Sequence, residues 1–127
     1  MEDLIVQKYG GSSLSSAEKI KSVAKRIGKA KDGGNSLVVV VSAMGDTTDD
    51  LLYQAATITD KPGQRELALL LSTGELVSCS MLTMALHHLG YNAVSLNGSQ
   101  AGIYTDSDYN QARIIDIKTE RLLRELD

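Results

Sequence analysis

Phenylalanine and tryptophan are absent from the 127 residues, and cysteine and proline occur once each. A core lacking the two largest apolar rings must be filled by Leu, Ile, Val, Met and Ala, helped by five tyrosines. The lone Cys79 allows no internal disulfide, which fits the reducing cytoplasm, and its apolar neighbours suggest a packing role. No unbroken run of about 18 apolar residues occurs, so no membrane partner is expected. The opening MEDLIVQKYGG carries acids and passes straight into a strand, unlike a signal peptide. A basic excess is also missing. The net charge of −3 argues against a nucleic-acid partner, which needs a positive field. Charged residues at 23% and hydrophobic residues at 43% nevertheless suit a packed single domain over residues 1–127.

What is present alternates between strand and helix patterns. LIVQKY reads as a first strand. Ser15, with Glu18 three residues later, has capping-box spacing, and Ile20, Val23, Ala24 and Ile27 then recur at helical intervals. KDGGN ends that helix. Four valines in succession within SLVVVVSAMG suit a central strand covered on both faces. A short helix is expected over 46–57. A long helical region follows over 65–89, with STGE as the one place where it can break. YNAVSL reads as a third strand, Ile103 to Thr105 and ARIID as two shorter ones, and KTERLLRELD as a final helix capped by Thr119, with Leu122, Leu123 and Leu126 facing inward. This order predicts an α/β fold with a mostly parallel sheet, whose ligands bind at the carboxyl ends of strands.

Three polar segments stand at such places or at helix starts, and a fourth is a polar loop after the third strand. In KYGGSS, Gly10 and Gly11 let the backbone turn tightly, the amides of Gly11, Ser12 and Ser13 lead toward a helix start, and Lys8 adds a mobile positive charge. That combination suits a phosphate. It suits equally a plain strand-to-helix turn with a solvated lysine, since adjacent glycines alone are weak evidence. In SAMGDTTDDL, Ser42, Thr47 and Thr48 place hydroxyls after the valine strand, where they can hold a small polar ligand; Asp46 or Thr47 can instead simply cap a helix. In LLSTGELVS, Glu75 can accept hydrogen bonds from a substrate ammonium or merely favour a helix dipole.

The fourth segment, GSQAGIYTDSDYN, reads as a solvated loop. Asp106, Asp108 and Asn110 copy the start of a calcium loop, but Gln111 and Ile117 stand where glycine and glutamate are required. His87 and His88 are adjacent at a helix end and point apart, so no metal site is expected.

Taken in order, VQKYGGSSL, VVVVSAMGDTTDDLL, LLSTGELVS and GSQAGIYTD…ARI resemble bacterial aspartokinases over nearly the whole chain. Other amino-acid kinases share the lysine and glycines but are not expected to show SAMGDTTD and STGE together. The resemblance implies a three-layer sandwich with a mostly parallel central sheet, present only in part: the amino-terminal half of a catalytic domain, without the remaining nucleotide-binding half or regulatory domains. It implies phosphoryl transfer from ATP, accompanied by Mg2+, to the side-chain carboxylate of L-aspartate. This is the first step of lysine, threonine, methionine and diaminopimelate synthesis. By the same resemblance Lys8 is catalytic and binds ATP phosphates together with Gly10, Gly11, Ser12 and Ser42, while Thr47, Thr48 and Glu75 hold aspartate. The isolated chain is expected to be inactive, to expose a sheet edge, and to form homo-oligomers or associate with the missing carboxy-terminal half. A non-catalytic aspartate- or phosphate-binding module, and a structural subunit, are the alternative readings.

Overall fold

A strand of alternating exposure opens the computed structural model, which describes residues 3–127. This strand, β1 (Leu4–Tyr9), runs parallel to β2 (Ser36–Val41), with Lys8 opposite Val40 and Tyr9 opposite Val41. A parallel pair needs a crossover, and α1 (Ala17–Asp32) supplies it. Successive strand side chains point to opposite faces. On the inner face Tyr9, Leu37, Val39 and Val41 pack against Ile20, Val23, Ala24 and Ile27 of α1, and against Leu82 and Leu86 of α3 (Gln64–His88). On the outer face Leu4, Val6 and Val40 are 58%, 63% and 47% exposed. The expectation that the valine strand is covered on both faces is therefore corrected: α1 and α3 cover one face of the pair, and the other is open.

The start of α1 is shifted by one residue from the expected box. Its cap is Ser16, whose Oγ accepts the Lys19 amide at 3.2 Å, while Glu18 stays in the first turn where its charge suits the helix dipole. Gly34, at φ +84°, turns the chain away after Asp32, and Asn35 Nδ2 donates to the otherwise orphaned Ala30 carbonyl at 2.7 Å.

After β2 come α2 (Thr47–Ile58) and then α3, which is continuous through Ser72–Glu75 instead of breaking there. Ser72 and Thr73 place their hydroxyls on the Leu69 and Leu70 carbonyls of the preceding turn, back-bonds that a continuous helix accommodates. Gly74 is buried in a packing contact. By length and average composition alone α3 is apolar enough to cross a membrane, a property hidden in the sequence by its interspersed serines and threonines; in the fold, Gly74, Ser78, Leu82 and Leu86 face inward.

Residues 91–96, read as a third strand, pair with no other strand among the described residues. Side chains hold this extended segment instead. His87 Nε2 bonds the Ala93 carbonyl at 2.8 Å, Thr83 and Ser95 hydroxyls meet at 2.8 Å, and the Tyr91 hydroxyl donates to Asp32 at 2.8 Å. That last bond, to a carboxylate, raises the Tyr91 pKa above its ordinary value. The expectation of a third strand at YNAVSL is therefore corrected: its alternating pattern finds no backbone partner among the described residues. Beyond it, β3 (Ile103–Thr105) and β4 (Ile114–Ile117) form a separate antiparallel pair, followed by α4 (Glu120–Leu126). Thr119 precedes α4 but its side chain makes no cap bond, and Leu123 is exposed whereas Leu122 and Leu126 are half-buried.

Leu82 joins α3 to α1 at 3% exposure. Leu82→Ala is expected to lower the stability measured by urea unfolding by roughly 2–5 kcal/mol, the cost of a buried cavity.

Candidate functional site

The site grows from the carboxyl ends of the two parallel strands. The loop after β1 and the loop after β2 are stitched together by backbone bonds, from the Ser42 amide to the Tyr9 carbonyl at 3.1 Å and from the Gly45 amide to the Gly11 carbonyl at 2.9 Å. The two glycines expected to admit a ligand divide the work. A Cβ on Gly11 would lie 2.6 Å from the Ala43 carbonyl oxygen, so Gly11 is required for one backbone to meet another. A Cβ on Gly10 would meet nothing within 4 Å, so the open approach is there.

A single 3-10 turn, Gly11–Leu14, follows instead of the start of α1. Its first bond runs from the Ser13 amide to the Gly10 carbonyl at 3.1 Å. The amides of Gly11 and Ser12 precede that bond and are the ones placed to meet an anion; the Ser13 amide, expected to join them, is already engaged. Lys8 is exposed on β1, on the same outer face as Leu4 and Val6.

α2 and α3 complete the arrangement. Asp46 stands at the cap position of α2 without a side-chain cap bond, so the capping role weighed for it is not realised. Thr47 and Thr48 are half-buried in the first turn of that helix. Gly74 of α3 packs into this corner: a Cβ there would sit 3.0 Å from Ala43 Cβ and 3.4 Å from Thr47 Cγ2. One turn on, the fully buried Ser78 places its hydroxyl 2.6 Å from the Ser42 carbonyl oxygen. Three of the four polar segments thus converge on Ala43, which is 4% exposed. Glu75 follows Gly74 directly and is exposed.

Two residues not singled out from the sequence support these loops. Lys19 Nζ donates to the Ser12 carbonyl and to Ser15 Oγ, each at 3.0 Å, and so braces the 3-10 turn from α1. Ser78 was quoted as the last letter of LLSTGELVS, yet serine in a helix reads as neutral filler. Only its zero exposure marks it.

The fourth segment has another job. Asp106 Oδ1 accepts the Asp108 and Arg113 amides, and Asp108 Oδ1 accepts those of Asn110 and Gln111 at 2.9 and 3.0 Å. These carboxylates fold their own loop. Among the described residues no group of three or more His, Cys, Asp or Glu side chains is disposed to hold a metal ion.

Comparison with known proteins adds to this geometry. Residues 3–127 match the model of the amino acid kinase family. The chain is 52% identical over 124 residues to an aspartokinase of Geobacillus stearothermophilus and 51% identical to aspartokinase 2 of Bacillus subtilis (strain 168), in each case over 98% of this chain. It spans 30% of the length of those curated relatives. The crystal structure of aspartate kinase from Synechocystis superposes with a TM-score of 0.83 at 46% identity, over 97% of this chain and 20% of that one.

Two expectations follow. Gly11→Ala should force the strand-end loops apart, with faster hydrogen exchange at the Gly45 amide and a loss of roughly 1–3 kcal/mol in unfolding free energy, as for other overpacked sites. The backbone bonds from Gln111 and then Asn110 hold the Asp108 pKa below its ordinary value of 3.8. A lowered folded pKa contributes loop order above the ordinary value and loses it as pH falls through the folded one. NMR titration should therefore show the Asn110 and Gln111 amide shifts moving with a midpoint below pH 3.8.

Proposed function

Because the chain belongs to the amino acid kinase family, we propose that its glycine turn and the adjoining rim of α2 and α3 form part of an aspartate kinase site. The reaction is transfer of the terminal phosphoryl group of ATP to the side-chain carboxylate of L-aspartate, giving 4-phospho-L-aspartate and ADP. The observation that carries this reading is the convergence of KYGGSS, SAMGDTT and STGE on Ala43. Segments separated in sequence by about one helix each meet at strand ends, where α/β folds bind ligands.

Phosphoryl transfer asks for positioning and positive charge more than for covalent help from the protein. The Lys8 ammonium and the Gly11 and Ser12 amides supply charge and donors for phosphate oxygens beside the open Gly10, and the Ser42 hydroxyl adds a polar group at the end of β2. Thr47 and Thr48 offer hydroxyls, and the Glu75 carboxylate accepts from the aspartate ammonium. That carboxylate is exposed, so its contribution grows as substrate excludes water. When bound, ATP supplies the phosphoryl group and its accompanying magnesium neutralises phosphate charge. The acceptor carboxylate is already ionised at neutral pH, so no strong general base is needed. In the same reading the protein works in the cytoplasm at the entry to amino-acid biosynthesis. The open outer face at Leu4, Val6 and Val40 receives the remainder of a kinase domain or a second copy of the chain.

Calorimetric titration of the chain tests this. Lys8→Ala is expected to weaken Mg·ATP at least about tenfold, roughly 1.4 kcal/mol, while leaving aspartate unaffected. Glu75→Ala should do the reverse. Absence of binding for both ligands would overturn the reading. Hydroxylamine trapping on the same proteins then separates a working kinase, whose hydroxamate disappears in Lys8→Ala, from a module that binds without turnover.

A further inference from the structure

We infer that Ser78 is a positioning residue, whose hydroxyl fixes the 42–45 loop to α3 and so sets the glycine turn at a defined place relative to Glu75. Ser78 is wholly buried and is the one polar residue among the described residues in that state. Its Oγ lies 2.6 Å from the Ser42 carbonyl oxygen, 36 positions away, and 3.1 Å from the Glu75 carbonyl oxygen one turn back. A hydroxyl has one proton to give, and the shorter contact takes it. The Ser42 carbonyl follows directly on the amide that bonds Tyr9 in β1, and three residues later the Gly45 amide bonds Gly11. One hydroxyl thus ties α3 to the loop that holds the glycine turn.

The rest of that contact is apolar. Gly74 meets Ala43, Thr47 and Leu51 through carbon atoms alone, contacts that are close but non-directional. A buried hydrogen bond is directional, and leaving the Ser42 carbonyl without it is unfavourable. Ser78 therefore adds a directional constraint to the seating that packing sets. Because Glu75 precedes Ser78 by a single turn, that seating also fixes the distance from the acceptor rim to the phosphate turn. What those two places bind rests on the aspartate kinase reading; the mechanical coupling does not.

Native-state hydrogen exchange followed by NMR separates the two. In Ser78→Ala the Ser42 and Gly45 amides are expected to exchange at least about tenfold faster, with α3 amides near Leu82 changing far less, since only a local opening is made easier. Ser78→Cys, with a weaker donor, should fall between Ser78→Ala and the unaltered chain. Leu82→Ala is the control: it loosens α3 globally, and its Gly45 and Leu82 amides should accelerate together. Loop exchange unchanged in Ser78→Ala, or rising only in step with α3 as in the control, would overturn the inference while leaving the kinase reading intact. Failure of the unaltered chain to bind aspartate and Mg·ATP would sink that reading while the exchange result still decides the role of Ser78.

Discussion

Everything at the candidate site depends on how closely two strand ends approach each other. Where Gly11 passes Ala43, the space that a side chain would fill is already taken by a carbonyl oxygen 2.6 Å away. Parallel pairing brings the ends of β1 and β2 to one edge, but pairing alone leaves their loops free to splay. The Ser42–Tyr9 and Gly45–Gly11 bonds continue the strand pairing into the loops. The glycine turn is therefore built as an extension of the sheet, with Lys19 bracing it from the helix side.

α3 has to be both core and site. Its inner face carries Leu82 and Leu86 into the hydrophobic cluster, and the same face, one and two turns earlier, presents Ser78 and Gly74 to the loop after β2. Glycine inside a helix costs about 1 kcal/mol relative to alanine. Here it permits an approach that a larger side chain would prevent, and the neighbouring Glu75 is left exposed beside that contact. Position on the helix, rather than local flexibility, places that carboxylate.

Much of this was legible in the residues. Strand and helix order followed from apolar periodicity, the glycine pair and the Ser42–Thr48 segment were readable as candidate ligand groups after strands, and Glu75 as a carboxylate within a helical stretch. Periodicity could not show that the valine run would be covered on one side only, because the pattern reports that a strand can be buried but not what is there to bury it. The same limit explains residues 91–96: a strand is defined by its neighbour, and the neighbour is not encoded in YNAVSL. Ser78 and Lys19 escaped for a different reason. Serine in a helix and lysine on its polar face are ordinary, and their roles arise only from carbonyls brought near them by the fold. The helix cap was misplaced by one residue because Ser15 and Ser16 are chemically equivalent, and only the backbone decides between them.

The one-sided cover of β2 makes a single residue type experience two selective regimes. Val39 and Val41 sit against α1 and α3, whereas Val40 is 47% exposed on the open face. Four identical letters therefore conceal a single exposed position, Val40, between half-buried neighbours. Drift toward threonine or lysine at Val40 meets little resistance in this chain, while the same change at either neighbour strikes the core. If a partner surface does close over the outer face, that freedom disappears, and the permissiveness of Val40 becomes a record of whether the face is covered in the living cell.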